Sequence, residues 1–314
     1  MPIKVAVVQT PPVLLDRAAS IDRMLASINE VAAAGAQLVV FPEAYLPGYP
    51  TWVWRLKPGG DMALAGEIHA RLRDQAVDLG RGDLGRVAKA AAQHGVTIVC
   101  GMHEIDSTFS GTTLFNTVVV LGPDGTILNH HRKLMPTNPE RMVWGMGDAR
   151  GLRVVSTPVG RVGCLICWEN YMPLARYALY AQSLELLIAP TWDCGDEWVA
   201  SMRHIAREGG CWVIATGTAI QASDVPAEFP GRAQLFPDEA DWLCDGGAII
   251  VRPFGKVQAG PLYRQKGVLY ADIDPAAAGR SRRSLDVAGH YARPDIFQLH
   301  VTRKQLPPVH FAET

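Results

Sequence analysis

The stretch 160–170, GRVGCLICWEN, decides the fold. Residues 162–166 form a short apolar run of the kind that makes a buried strand. The run breaks at Trp168-Glu169-Asn170, and a helix is predicted over 173–182, its proline tolerated in the first turn. A strand that ends in a sharp turn and feeds a helix is the unit of layered α/β proteins, whose ligands collect at the carboxyl ends of the strands. The stretch also carries two cysteines three residues apart, Cys164 and Cys167. On a continuous strand, residues an odd number apart face opposite ways. That suits neither a zinc knuckle nor a redox disulfide, and no second C-x-x-C completes a four-thiolate site. Each cysteine therefore has its own job. Cys164 lies inside the strand and packs. Cys167, at the strand's end, is a partly open thiol with helical amides nearby to favour its thiolate. Cys100, Cys194, Cys211 and Cys244 pack or are incidental.

The same reading extends outward. Strands are predicted over 3–9 and 37–41, separated by a helix over 18–34. In that helix Ile21, Met24, Leu25, Ile28, Val31 and Ala32 fall at helical spacing, and Gly35 ends it. This order predicts a right-handed parallel crossover. Further helices are predicted over 62–78, 84–94, 197–209 and 276–282. Strands follow over 97–101, 115–121, 127–131, 153–156, 184–189, 211–216, 247–252, 255–259 and 268–274, with a hairpin turn at the PDG of 123–125. Residues 221–246, rich in Pro, Asp and Gly, read as a long surface loop. No repeat and no linker divides the chain, so the expectation is one layered α/β body with mixed sheets.

Composition bounds what the protein does. The 314 residues are 48% hydrophobic and 19% charged, with a net charge of −1. That balance gives no electrostatic grip on nucleic acid or an anionic membrane. No run approaches the ~20 apolar residues of a membrane span, and the N-terminus lacks the apolar core of a secretory signal. The expected residence is cytoplasmic, and six sparse cysteines are expected as reduced thiols.

Three more stretches carry chemistry. In FPEAYLPGYP (41–50), Glu43 sits just past a strand's carboxyl end, as a general base would, or as an exposed loop acid would. In HHRKLMPT (130–137) the charge run reads by default as a solvated face. Its adjacent histidines point to opposite faces of a strand and make a poor chelate, so no metal is expected. In ERMVWG (140–145), Glu140 lies seven residues after Lys133, a weak signal alone.

Taken together, FPEAYLPGYP, HRKLMPTNPERMVWG and CLICWENYMPLARY, in this order and spacing, resemble the three signature regions of the nitrilase branch of the carbon–nitrogen hydrolase superfamily. GHYARPDIFQL at 289–299 resembles a late segment of that branch, so the likeness covers residues 3–300. Trp168-Glu169 is nitrilase-like, where aliphatic amidases of the superfamily more often carry Tyr then Asp. The chain ends soon after the last block, where many microbial nitrilases continue.

The resemblance implies a four-layer α-β-β-α sandwich with two mixed sheets. It implies a single domain over 1–285 and an extension, 286–314, at a subunit interface of a homo-oligomer, from a dimer up to a spiral. It makes Cys167 the nucleophile and Glu43 the general base. Lys133 stabilises developing charge, and Glu140 is a second acid that positions Lys133 and substrate. Tyr49, Trp144, Trp168, Pro190 and Trp192 line the pocket, and neither metal nor organic cofactor is required. The implied reaction converts an aromatic, arylaliphatic or longer aliphatic nitrile to a carboxylic acid and ammonia through a cysteine thioimidate and thioester. Rival expectations are a cyanide dihydratase or hydratase, an aliphatic amidase of the same superfamily, or an inactive scaffold. The scaffold would be expected to lack one of the four catalytic residues, and none is missing. With Glu43 and Lys133 both acting, the rate is expected to be bell-shaped in pH.

Overall fold

Apolar side chains alternate between two buried faces along each central strand, and this alternation builds the layers. The computed structural model describes residues 2–304, 309 and 312. Along its first half run β1 (Ile3–Val8), α1 (Arg17–Ala33), β2 (Leu38–Val40), α2 (Met62–Gln75), α3 (Gly85–His94), β3 (Thr97–Ile105), β4 (Leu114–Leu121) and β5 (Ile127–Arg132). Next come β6 (Val155–Thr157), β7 (Gly160–Cys164), α4 (Pro173–Tyr180), β8 (Leu186–Pro190), α5 (Asp196–Glu208) and β9 (Trp212–Thr216). The chain continues through β10 (Ala219–Gln221), α6 (Arg232–Leu235), β11 (Trp242–Val251), β12 (Val257–Tyr263), β13 (Val268–Ile273) and α7 (Ala277–Ser281).

One sheet has six strands in the order β13-β1-β2-β3-β4-β5, and the other seven, β10-β11-β9-β8-β7-β6 with β12 on β11. Both are mixed. In the first, β1, β2 and β3 are parallel and the rest antiparallel. In the second the parallel set is β7, β8 and β9. Val5, Val7, Leu38, Val40 and Val99 of one sheet pack against Val162, Cys164, Leu186, Ile188 and Ile214 of the other. The next residues along the same strands turn outward. Ala6, Val8, Val39 and Ile98 meet Ile21, Met24, Ile28 of α1 and Val87 of α3. Leu187, Ala189 and Val213 meet Leu179 of α4 and Trp198, Met202 and Ile205 of α5. Three cores between four layers make the expected α-β-β-α sandwich. Strands apolar on both faces are why these runs read as continuous rather than alternating.

Two expectations change. Residues 221–246 are not a surface loop. They hold β10, a 3₁₀ turn at Ala222–Asp224, α6 and the start of β11. Val225, Phe229, Leu235 and Phe236 are buried there in a fourth apolar cluster with Tyr49, Trp52 and Trp144. And β7 stops at Cys164, two residues earlier than predicted, so Cys167 opens a 3₁₀ turn (Cys167–Tyr171) rather than ending a strand. Among the described residues no helix is long and apolar enough to cross a membrane.

Candidate active site

Four strand ends on one edge of the sandwich deliver three predicted residues, Glu43, Lys133 and Cys167, and one that was not predicted, Thr191. Glu43 lies three residues past β2, Cys167 three past β7, Lys133 directly past β5, and Thr191 directly past β8. The Glu43 loop lies flat on β3 because Gly101 has no side chain, since a Cβ there would collide with the Pro42 carbonyl oxygen. Ala44 (φ 49°) and Cys167 (φ 51°) are both held in the left-handed region. Non-glycine residues rarely adopt that region, and such strain gathers at functional sites.

Lys133 is the hub. Its Nζ donates to Glu43 Oε1 at 2.8 Å and to Glu140 Oε2 at 2.7 Å, and all three side chains are buried. Glu140 Oε2 also accepts the Thr137 backbone N–H at 2.7 Å, and its Oε1 accepts the Tyr49 hydroxyl at 2.6 Å. Glu43 Oε1 takes a further bond from Asn116 Nδ2 at 2.7 Å, while its Oε2 has no partner. Asn116 works twice, because its carbonyl also accepts the Lys133 N–H at 2.7 Å. The Cys167 sulfur accepts a bond from Thr191 Oγ1 at 3.3 Å, and the charges of Glu43, Lys133 and Glu140 all act on it.

The electrostatics follow from burial. Desolvation raises the Glu43 carboxyl from 4.5 to about 7, with Lys133 pulling it down and Glu140 pushing it up. Desolvation would lower Lys133, but the facing charges of Glu43, Cys167 and Glu140 outweigh it and hold the ammonium above the ordinary lysine range. Burial and the two carboxylates push the Cys167 thiol up to about 12, against Lys133 and the Thr191 hydroxyl. The sequence-based expectation of a partly open thiol biased to thiolate is thus corrected. Cys167 is buried and protonated at rest, because desolvation exceeds the help of one ammonium.

The aromatic residues divide. Tyr49 and Trp192 stack with ring centroids 4.2 Å apart and planes 5° from parallel, and Trp144 meets Tyr49 edge-on at 5.8 Å. The Trp144 ring also lies 5.8 Å from Lys133 Nζ. Its indole N–H donates to His103 Nδ1, so His103 donates through Nε2 to the Gly48 carbonyl. Burial lowers His103 to about 3, which keeps it neutral. Trp168 turns outward. It is 46% exposed and donates to Asp193 Oδ2 at 2.8 Å. Pro190 is buried at the end of β8, opposite Thr216.

His131 and His130 do point to opposite faces. His131 Nε2 contacts Glu169 and His130 Nε2 contacts Glu104. The basic run is not a solvated face, since His131, Arg132 and Lys133 are all buried. Among the described residues no group of three or more His, Cys, Asp or Glu is placed to hold a metal.

Sequence reasoning missed three supporting residues. Glu169 is a buried clamp. Its Oε2 accepts the Ile166 N–H and its Oε1 the Leu134 N–H, both at 2.6 Å, tying the backbone beside Cys167 to that beside Lys133. Asn116 and Thr191 hold Glu43 and Cys167. The available signal was a polar residue interrupting an apolar strand, as in LFNTVVVL and LLIAPT.

The family model for carbon–nitrogen hydrolases matches residues 4–283. An aliphatic nitrilase of Sinorhizobium fredii (strain HH103) is 42% identical over 299 residues, 95% of each chain. A bifunctional nitrilase/nitrile hydratase of Nicotiana tabacum, NIT4B, is 39% identical over 99% of this chain and 89% of its own. Among solved structures, the carbon–nitrogen hydrolase of Helicobacter pylori G27 superposes with a TM-score of 0.69 at 20% identity, over 91% of this chain and 94% of that one. The chain belongs to the carbon–nitrogen hydrolase family.

Proposed function

We propose that the protein is a nitrilase, converting an organic nitrile and two waters to a carboxylic acid and ammonia. The observation that carries this reading is one buried ammonium, Lys133, bonded to two buried carboxylates whose charges act on the Cys167 thiol. The nitrilase relatives, alike over nearly the whole chain, support the substrate class.

Glu43 is the base, with an unpartnered Oε2 and a carboxyl poised near neutrality. Because the thiol sits far above it, the proton moves to Glu43 as the sulfur bonds to the nitrile carbon, not before. The nitrile nitrogen gains charge in that step, which Lys133 and the Trp168 backbone N–H stabilise, and it takes the proton from Glu43 to give a thioimidate, leaving Glu43 free to act again as base. Water activated by Glu43 adds, ammonia leaves, and a second water hydrolyses the thioester. Expulsion of the thiol from the first tetrahedral adduct would release an amide instead. Glu140 fixes the ammonium, and Tyr49 fixes Glu140. The wall of Tyr49, Trp192 and Trp144 favours aromatic, arylaliphatic or longer aliphatic nitriles over cyanide.

Homo-oligomerisation through 286–314 belongs to the same reading. In its described part Tyr291, Ile296 and Phe297 are exposed beside Leu174 of α4, an apolar surface of the kind partners cover. Residues 305–308, 310, 311, 313 and 314 lie outside the described residues. Six free thiols accord with a reducing, cytoplasmic setting. The test is a panel of nitriles, cyanide and amides with ammonia and amide both quantified. Ammonia from aryl or longer alkyl nitriles is expected. Turnover of amides alone, or of cyanide alone, would replace this reading.

A further inference from the structure

Thr191 stands directly past β8, and three hydrogen bonds fix it there. Its backbone N–H donates to the Thr216 carbonyl of β9 at 2.9 Å. Its Oγ1 accepts the Asp193 backbone N–H at 2.8 Å, a turn that sets the rotamer of a side chain already stiff at χ1. Its hydroxyl donates to the Cys167 sulfur at 3.3 Å. The side chain is buried, and the sulfur is the only acceptor that this proton meets among the described residues. Lys133 does not duplicate the contact. Its Nζ bonds Glu43 and Glu140, and its charge acts on the sulfur without a hydrogen bond. Thr191 is therefore the one hydrogen-bond donor on the reacting atom among the described residues. Asp193, which holds the hydroxyl, also takes the Trp168 indole N–H at 2.8 Å, so the outward tryptophan braces the same turn.

Resting on the nitrilase reading, we propose that Thr191 is a further catalytic residue. Its hydroxyl stabilises the Cys167 sulfur as that atom gains negative charge, and so sets how much amide leaves in place of acid. The branch lies at the first tetrahedral adduct, whose carbon carries a hydroxyl, an amino group and the Cys167 sulfur. In either direction the hydroxyl gives its proton to Glu43 and the C=O bond forms. When the C–N bond breaks, its electron pair stays on nitrogen, which takes the proton from Glu43 and departs as ammonia. The thioester remains. When the C–S bond breaks, its electron pair stays on sulfur and the amide departs. The sulfur then takes the same proton from Glu43, and the free thiol returns. Thr191 touches only the second leaving atom. A preset donor at sulfur lowers the barrier to C–S cleavage and leaves C–N cleavage unassisted. Sulfur leaves again when the thioester is hydrolysed, but after the branch, so that step affects rate and not product ratio. The attack on the nitrile, in which the thiol loses its proton, draws on the same bond.

Thr191→Val keeps the shape of the side chain and removes the donor. The substrate is α-fluorophenylacetonitrile, whose fluorine makes the adduct nitrogen a poorer base, so the parent should release amide beside acid. In Thr191→Val the amide-to-acid ratio and kcat/KM should each fall about tenfold, the effect of one hydrogen bond to a charged atom. Thr191→Ser, which keeps the hydroxyl, should restore both. Thr191→Ala should shift both in the same direction, so a valine variant that does not fold leaves the test standing. A fall in kcat/KM with the ratio unchanged would make Thr191 a loop anchor and overturn the proposal. So would a ratio that rises, an unchanged rate, or a parent that hydrolyses the nitrile without any amide. Protein that turns over no nitrile would fail the nitrilase reading alone, and iodoacetamide would still decide the sulfur bond. At neutral pH it should alkylate Cys167 about tenfold more slowly in Thr191→Val than in the parent or Thr191→Ser, and equal rates would overturn that bond.

Discussion

Arg132 and Lys133 are neighbours at the end of β5, and each anchors a buried carboxylate network, on opposite faces of the sheet. On one face Glu104 Oε1 takes Arg132 Nη2 at 2.5 Å, and Oε2 takes Arg132 Nε, Thr117 Oγ1 and His130. The guanidinium also lies over the Phe115 ring at 4.0 Å. On the other face one ammonium is divided between Glu43 and Glu140, and Glu43 keeps a bare oxygen. Both carboxyls are desolvated, yet they end far apart. Burial would raise Glu104, but the hydrogen bonds and charges of His130 and Arg132 hold it down at about 2, whereas burial prevails at Glu43 and leaves it at about 7. A bidentate guanidinium with every oxygen satisfied makes a strut. A shared ammonium with one oxygen free makes a base.

The sharpest way to break this contrast is to remove what the base serves. Cys167→Ala should abolish nitrile turnover, a loss on the order of 10⁴-fold or more in kcat, with the melting temperature little changed. Unchanged ammonia release would end the nucleophile assignment.

Glu43→Gln should lower kcat/KM by roughly 10²–10⁴-fold. In the parent, kcat/KM should climb through about pH 7 as Glu43 loses its proton, and the variant should lose that limb. The bell expected from sequence becomes a rise and a plateau, because Lys133 titrates above the ordinary lysine range. A pH-independent parent profile across neutrality would remove Glu43 as the base. The two acids also act oppositely on stability. The raised Glu43 favours the folded state below its ordinary 4.5, and that contribution is lost as pH rises to about 7. The depressed Glu104 favours it above 4.5, and that is lost as pH falls towards about 2.

Glu104→Gln tests the strut. Breaking a buried pair strands Arg132, so a loss of about 3–5 kcal/mol is expected at neutral pH, with kcat largely kept in the folded fraction. The gap between parent and variant in urea melts should narrow as pH drops below about 4.5, where the parent begins to lose the same charge. A gap that stays constant into acid would mean Glu104 is not held ionised by its partners.

Much of this was legible in the chain, and the failures have physical causes. Glu43 and Cys167 stand just past strand ends, where the apolar runs stop, so pattern placed each where ligands collect, whereas Lys133 and Glu140 were drawn to them by the resemblance alone. The facing of His130 and His131 followed from a strand's period of two. Their burial did not, because the partners that make it tolerable, Glu104 and Glu169, lie 26 and 38 residues away. Glu169 reads locally as a cap three residues after Ile166, and its second bond, to Leu134, is invisible without the fold. In 221–246, Val225, Phe229, Leu235 and Phe236 share no single period. Their prolines and glycines shape a path over the site rather than into solvent, so composition pointed outward where packing points in.

The finest comparison is between two hydroxyls. Tyr49 donates to Glu140 at 2.6 Å and Thr117 to Glu104 at 2.7 Å, each to a buried carboxylate. A hydrogen bond to an ionised group contributes about 1.5–3 kcal/mol. Thr117→Val removes one of several bonds to an acid that Arg132 still grips, so its cost should sit at about 1 kcal/mol and appear only as a lower melting temperature. Tyr49→Phe keeps the ring that stacks on Trp192 but frees Glu140 Oε1, loosening the acid that aims Lys133. Its cost should appear as a fall of about tenfold in kcat, with KM for an aryl nitrile little changed because the aromatic wall remains. Should Thr117→Val slow turnover as much as Tyr49→Phe, the two networks would be coupled through β5, and the division between strut and base would not hold.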